Sequence, residues 1–388
     1  MEIYFSDSSF EVGNQSYEGF PILVDSTGKI VNVALDFFVD ELLRKRSVKD
    51  LKTWNAYGRH LYDYFGYLEA KKLNWDYIPE SGSGDVPPLV HYVSWCDKTI
   101  GNKPGYINDK TGLIQRFYVW ALKVGLIPSL PFREIEVVSL HQEGMLSHTS
   151  SRSRKAKSTD LHIPEVENTL AVLSRRQIEL ALRQTRNPTH RAMLHLGLNA
   201  GLRAEEIVTF PAEYVMDCGK LSAKVKSISV HLNPNSMDTK NDKSRKVRIS
   251  VLCMNQLWQY RETVRSRLER TSTINSPHLF LTRYGLPFVA DGFDKPLARL
   301  GEKIGFHMYP HLLRHTFATH TLAALDDLKR AGRIKGSPLH ILMGLLGHSS
   351  VLTTMKYVHQ LDSIDDAYGT QYQSEIDALA LSYLEERV

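Results

Sequence analysis

Apolar residues recur at helical spacing in two stretches of the first third of the chain. One stretch has them at three- and four-residue steps: Leu51, Trp54, Tyr57, Leu61, Phe65 and Leu68. The other repeats this spacing and ends at a glycine suited to a helix C-cap: Leu113, Phe117, Trp120, Val124 and Gly125. Such steps are typical of amphipathic helices. The pattern predicts a small helical domain, preceded by short β-like runs at 19–24 and 29–33 and by a helix N-cap at 47–50.

The composition changes sharply after this helical region. Between Leu146 and Leu161 the chain has no apolar residue larger than Ala156, so this stretch has too little apolar surface to bury itself. The same stretch concentrates four basic side chains: Arg152, Arg154, Lys155 and Lys157. We predict a basic linker here, which is either a solvated hinge or a contact for an anionic partner.

The rest of the chain mixes helical spacing with one stretch of alternation. Ser174 and Gln177 form a capping-box pattern that predicts a helix through residue 182, and a second helix is predicted over 189–198. Apolar and polar residues alternate over 228–232 and again over 247–251, which predicts two strands joined as a hairpin. From there to about residue 360, apolar residues recur mainly at helical spacing. The fold class is therefore mainly α with a small β-sheet (α+β).

Length and composition narrow the classes of protein further. The chain has 388 residues, which favours two domains over one. It lacks an apolar run long enough for a membrane-spanning helix, and we expect neither a membrane partner nor a secretory signal. The three cysteines are far apart, which argues against disulfides and favours the cytoplasm. The formal net charge of +5 is too small to identify a partner.

Four short segments of the second domain carry the candidate chemistry. They contribute seven residues in chain order: Arg203, Glu206, Lys240, His311, Arg314, His348 and Tyr357. Arg203 lies two residues after Gly201, and Glu206 lies one helical turn later. His311 and Arg314 are three residues apart and share a helix face. Lys240 is predicted at the hairpin tip beside other basic residues, so whether it or a neighbouring lysine matters stays open.

These segments, in this order, resemble the tyrosine recombinases, the phage integrase family. The match is strong over 165–360 and weaker over 31–140, where residues 113–123 resemble the last helices of the family's core-binding domain. The resemblance implies a helical SAM-like core-binding domain followed by a tyrosine-recombinase catalytic domain.

The implied domain boundaries follow from this resemblance. They are an N-terminal lead-in at 1–30, the core-binding domain at 31–145, the basic linker at 146–165, the catalytic domain at 166–360 and a tail helix at 361–388. The tail carries an amphipathic pattern, and it packs either on its own domain or, as the resemblance favours, on a neighbouring subunit.

The residue types suit attack on a DNA phosphodiester. Two guanidiniums, Arg203 and Arg314, can grip the non-bridging oxygens and offset their charge. The resemblance implies that Tyr357 is the nucleophile and Lys240 the acid that protonates the leaving 5′ oxygen. It further implies that His311 accepts a proton or binds the phosphate, and that His348 donates a hydrogen bond to it.

Supporting roles and cofactors complete this interpretation. Glu206 is expected to orient Arg203 or a histidine. His311 and His315 have zinc-like spacing, but the sequence offers no third ligand, so we expect neither metal nor cofactor and assign His315 and His320 to helix packing or contacts with the DNA backbone.

The resemblance implies a site-specific recombinase or integrase that cleaves and rejoins DNA through a 3′-phosphotyrosyl intermediate for a mobile element. The implied partner is double-stranded DNA at specific sites, bound by a homo-tetramer, with a directionality factor or a related recombinase as a further partner. The implied location is the cytoplasm of a bacterium, at the nucleoid. Two alternatives remain: a type IB topoisomerase-like nicking-closing enzyme, and a catalytically silent DNA-binding protein of the same fold.

Overall fold

The computed structural model describes two compact units of the chain. It covers residues 1–44, 51–80, 84–138, 155–165, 170–219, 221–222 and 224–361. The first unit is Met1–Glu167 and the second is Asn168–Val388. A tail helix was predicted at 361–388, and all of it except residue 361 lies outside the described residues. Among the described ranges, no helix is both long enough and apolar enough to cross a bilayer.

The first unit begins with short antiparallel strands: β1 (Glu2–Phe5), β2 (Glu11–Val12), β3 (Gln15–Ser16) and β4 (Pro21–Val24). β4 confirms the first predicted β-like run, and it pairs with β1 in the register Glu2 to Val24. The prediction of a second β-like run at 29–33 was wrong. This stretch gives only a single bridge from Ile30 to Val24, because the chain becomes helical at Asn32 and leaves too few extended residues for a strand.

The helices of the first unit surround an aromatic core. They are α1 (Asn32–Phe38), which continues as a π-helix over Val39–Arg44, α2 (Leu51–Lys71), α3 (Pro88–Lys98) and α4 (Pro104–Lys123). The predicted stripes of α2 and α4 supply much of this core, with Leu61 and Phe117 fully buried. The predicted C-cap is confirmed, since Gly125 follows α4 with a φ of +78°. The N-cap predicted at 47–50 lies outside the described residues.

Part of the predicted linker forms a strand. β5 (Glu134–Val138) pairs antiparallel with β6 (Lys155–Thr159) in the first unit. The sequence rule failed here because a ladder pairs backbone groups without burying large apolar side chains. Of the four basic residues of the predicted linker, Arg152 and Arg154 lie outside the described residues. Lys155 and Lys157 have a described backbone in β6, while their side chains lie outside the description.

The second unit is mainly helical and has one hairpin. Its described helices are α5 (Arg175–Gln184), α6 (Pro188–Ala200), α7 (Ala204–Val208), α8 (Val251–Tyr260), α9 (Ser266–Arg270), α10 (Asp294–Ile304), α11 (Pro310–Arg330), α12 (Pro338–Leu346) and α13 (Val351–Leu361). The predicted capping box opens α5, with Ser174 and Gln177 bonded reciprocally. A π-helical turn, Arg261–Arg265, joins α8 to α9.

The hairpin predicted from alternation is confirmed. β7 (Ser227–Leu232) pairs antiparallel with β8 (Arg245–Ser250), and Leu232 lies opposite Arg245. A short 3-10 turn, Lys240–Asp242, lies between the two strands and leaves the Lys240 side chain exposed.

Close packing between α6 and α11 positions the residues of the candidate site. At the end of α6, Gly201 adopts a φ of +62°, and a Cβ there would overlap the ring of Phe317 on α11. This glycine lets the chain turn tightly from α6 into α7, of which Arg203 is the N-cap.

Candidate active site

Arg314 lies at the centre of the site and is almost fully buried. Its Nη1 donates to the carbonyl oxygen of Gly201 at 2.8 Å, and its Nη2 donates to that of Leu346 at 2.6 Å. Burial, followed by the charge of Arg203, lowers its pKa to about 9, so the guanidinium remains charged at neutral pH. Backbone carbonyls at the ends of α6 and α12 thus hold the Arg314 guanidinium in a position shielded from solvent.

Glu206 holds the second arginine in place. Its side chain is fully buried, and it accepts from the backbone nitrogen of Arg203 at 2.8 Å and from Nη1 of Arg203 at 2.9 Å. Of the two partners predicted for Glu206, Arg203 is the one that it contacts. The carboxylate therefore closes the first turn of α7 and orients the arginine side chain at the same time.

Arg245, one of the basic residues that follow Lys240 in the chain, is the other partner of Glu206. Its Nη2 donates to Oε2 of Glu206 at 2.6 Å, and its Nη1 donates to Oε1. Burial alone would raise the pKa of Glu206, but hydrogen bonding and charge from Arg245, followed by Arg203, hold that pKa at about 2. No signal in the sequence separates Arg245 from Lys243 or Lys246.

Arg245 also connects the hairpin to the end of α12. Its Nε donates to the carbonyl oxygen of Leu345 at 3.3 Å. Its Cδ would lie 2.6 Å from a Cβ at Gly347, which has a φ of +66°, so only glycine fits there. The arginine thereby fixes the turn that leads directly into His348.

His348 lies between Arg314 and Thr354. Its Nε2 is 3.2 Å from Nη2 of Arg314, and its Nδ1 is 2.9 Å from the hydroxyl of the buried Thr354. Burial, followed by the charge of Arg314, lowers its pKa to about 4, so the ring is neutral at pH 7. A guanidinium can only donate, so Nε2 accepts here and Nδ1 carries the proton. Donation by His348 to a phosphate stays a prediction.

Tyr357 points inward from α13, and only 3% of its surface is exposed. Its ring lies parallel to that of His348, with centroids 6.3 Å apart. Burial raises its pKa, while the charges of Arg314 and Arg203 act in the opposite direction. The two arginines thus favour the phenolate, but in this arrangement burial outweighs their effect.

Two histidines on α11 complete the pocket. The rings of His311 and His315 meet edge to face, with centroids 4.9 Å apart. Burial, followed by the charges of Arg314, Arg203 and Lys240, lowers the pKa of His311. The exposed Lys240 is thus close enough to the site to influence it electrostatically.

His315, assigned from the sequence to helix packing or a DNA-backbone contact, packs against α13 and contacts Tyr357. Its Nδ1 lies 3.1 Å from the hydroxyl oxygen of Tyr357. The four-residue step from His311 to His315 places both rings on the pocket face of α11, and this spacing was the signal available in the sequence. Over the described residues, no group of three His, Cys, Asp or Glu side chains could hold a metal ion.

Comparisons with known proteins show which proteins this chain resembles. The family model described as the phage integrase family matches residues 171–363, which include all the predicted site residues of the second unit. The tyrosine recombinase XerD of Listeria innocua serovar 6a is 25% identical over 333 residues, which cover 85% of this chain and 94% of the relative. The tyrosine recombinase XerC of Roseiflexus castenholzii is 30% identical over 204 residues, which cover 50% of this chain and 57% of the relative.

Two solved structures share the fold. The Tn1549 transposon integrase in complex with transposon right end DNA aligns with a TM-score of 0.55 at 16% identity, covering 90% of this chain and 99% of that one. The XerH site-specific recombinase bound to palindromic difH substrate aligns with a TM-score of 0.51 at 16% identity, covering 83% and 80%. From its matched segment and its relatives, the chain belongs to the phage integrase family of tyrosine recombinases.

Proposed function

We propose that this member of the family is a site-specific recombinase that cleaves and rejoins duplex DNA through a 3′-phosphotyrosyl intermediate at Tyr357. One observation carries the proposal. The guanidiniums of Arg203 and Arg314 lie near enough for their charges to act on the phenol of Tyr357, and the imidazole of His315 contacts its hydroxyl. Each of these groups is held by a second contact, so the pocket is formed before any substrate enters.

The chemistry follows from the charge of the phosphodiester. Its anionic oxygens repel a nucleophile, and its transition state gathers further negative charge. Arg203 and Arg314 offset that charge with cations that need no reorganisation, because Glu206 and the backbone carbonyls already fix them. A free phenol titrates near pH 10, so forming the phenolate at pH 7 costs roughly 4 kcal/mol, which the two cations help to supply.

The reaction is a transesterification, in which each bond that breaks is matched by one that forms. The hydroxyl of Tyr357 gives its proton to an imidazole of the pocket as its oxygen forms a bond to phosphorus, the bond from phosphorus to the 5′ oxygen breaks, and Lys240 or a neighbouring lysine protonates the departing oxygen. The phosphotyrosyl ester retains the energy of the broken bond. A 5′ hydroxyl from a second duplex can therefore reverse the step, which exchanges strands without ATP.

The wider setting is inferred from relatives. XerH is bound to difH substrate and the Tn1549 integrase to transposon right end DNA, and we infer duplex DNA with specific sites as the substrate here. Integration, excision or transposition of a mobile element in a bacterial cytoplasm fits this activity. We infer a tetramer on two DNA sites, assisted by a directionality factor or a related recombinase, with the basic residues at 152–157 contacting the backbone.

The test is covalent trapping on a nicked suicide duplex. Randomised duplexes are first enriched by binding to the purified protein, and the selected site is then nicked so that the cleaved 5′ fragment diffuses away. Wild type is expected to form an adduct that survives denaturant and disappears in Tyr357→Phe. Tyr260→Phe is the matched control, because its hydroxyl is buried on Thr189 outside the pocket, and it should form the adduct normally.

Other outcomes identify the alternatives. Site-specific binding without an adduct would reject catalysis and indicate a silent DNA-binding protein. An adduct that persists in Tyr357→Phe would reject the nucleophile. Relaxation of supercoiled plasmids that lack the selected site would indicate a nicking-closing enzyme instead.

A further inference from the structure

The contact between His315 and the nucleophile has a chemical consequence. We propose that His315 is the residue that takes the phenolic proton of Tyr357 when the tyrosine attacks DNA. The inference rests on the proposed function, since it assigns the general base of that reaction. It also narrows the sequence-based assignment of His311, which was either a proton acceptor or a phosphate ligand, to the second of these roles.

The geometry singles out His315 among the three histidines of the pocket. Its Nδ1 lies 3.1 Å from the hydroxyl oxygen of Tyr357, within the reach that direct proton transfer requires. The ring of His348 is parallel to that of the same tyrosine, but its two nitrogens bind Arg314 and Thr354. His311 is one helical turn from His315 and meets its ring edge to face.

The charge state of His315 suits a base. Burial, followed by the charges of His311, Arg314 and Lys356, lowers its pKa to about 4, so the ring is neutral at pH 7. A neutral imidazole has one accepting nitrogen, and the phenolic O–H can donate to Nδ1 when the proton of the ring is on Nε2. The neighbouring groups of α11 and α13 therefore keep the acceptor available.

DNA binding strengthens this base. A phosphodiester beside Arg314 brings negative charge that offsets the guanidiniums, and the pKa of His315 rises as a result. As the oxygen of Tyr357 bonds to phosphorus, the phenol becomes a stronger acid. The O–H bond breaks, its electron pair stays on the oxygen that bonds to phosphorus, and the proton moves to Nδ1 of His315.

The same residue serves the reverse step. When a 5′ hydroxyl attacks the phosphotyrosyl ester, the phenolic oxygen leaves and needs a proton. The imidazolium of His315 returns the one that it received, so the phenolic proton passes only between Tyr357 and His315, while the proton of the 5′ hydroxyl is handled by the lysine. This balance follows from microscopic reversibility.

The experiment measures the single-turnover rate of adduct formation on the nicked suicide duplex. His315→Ala is expected to slow this rate by about 10²-fold or more, with DNA affinity within about twofold of wild type. His315→Asn keeps a polar group near Tyr357 but cannot take a proton, so we expect it to be as slow as His315→Ala. His320→Gln is the matched control, because His320 lies on the same helix and bonds to the carbonyl oxygen of Leu173 outside the pocket.

A second substrate separates the base from the leaving-group acid. A sulfur in place of the bridging 5′ oxygen leaves without protonation, so it should restore the rate of Lys240→Ala and leave His315→Ala slow. Fast cleavage by His315→Asn would reduce His315 to a positioning role and overturn the proposal. So would a His315→Ala rate within about threefold of wild type, or rescue of that variant by sulfur. Absence of any adduct in wild type would instead reject the proposed function itself.

Discussion

Glu206 is a buried carboxylate paired with two arginines. The variant Glu206→Gln tests how much this pairing contributes to the free energy of unfolding. Glu206 binds Arg203 and Arg245, and its pKa falls from an ordinary value of 4.5 to about 2. A difference of about 2.5 units corresponds to about 3 kcal/mol of stabilisation at neutral pH. The variant should lose about this much unfolding free energy at pH 7, in line with breaking a buried ion pair.

The stability difference between wild type and Glu206→Gln should depend on pH in a definite direction. Because the folded-state pKa of Glu206 lies below its ordinary value, its stabilisation is complete well above pH 4.5 and is lost as pH falls through about 2. Glutamine does not titrate, while the other carboxyl groups titrate in both proteins and cancel. The difference between wild type and Glu206→Gln should therefore shrink from about 3 kcal/mol at pH 7 to about half of that at pH 3.

The assay must report the second unit alone. Urea unfolding at pH 7 and pH 3 is followed by peptide-resolved hydrogen exchange of α6 and α11, which belong to the core of that unit. Glu262→Gln is the control, because Glu262 forms an exposed ion pair with Arg261 and should change stability by less than about 1 kcal/mol. A loss by Glu206→Gln that matches this control, or one that is equal at both pH values, would refute the reasoning.

Two smaller predictions use unfolding free energies from urea titration. Gly201→Ala should destabilise the second unit by more than about 1 kcal/mol, because its φ of +62° and the ring beside it exclude a Cβ. Gly344→Ala, with nothing within 4 Å, should instead stabilise α12 by about 0.5–1 kcal/mol, and equal effects would contradict the packing argument. Thr354→Val should lose about 1–3 kcal/mol, since Nδ1 of His348 loses its buried partner, while the exposed Thr353→Val should stay within about 0.5 kcal/mol; similar losses would argue against that contact.

Local patterns accounted for much of the fold. The helical stripe of α2, the capping box at Ser174 and the alternation of β7 and β8 all appeared where the sequence placed them. Each is a property of residues close together in the chain, governed by the 3.6- and two-residue periods of the backbone. The strand at Lys155–Thr159 escaped this reasoning because its partner, β5, contributes backbone groups that no hydrophobic pattern reveals.

The candidate site divides in the same way. The sequence by itself determined which residue types are present, from Arg203 to Tyr357, and the family to which their order points. Only the tertiary structure decided that Arg245 shares the carboxylate of Glu206 and that His315 meets the tyrosine hydroxyl. A buried polar group takes whichever partner the packing brings within about 3 Å, and that choice depends on side chains far apart in the chain.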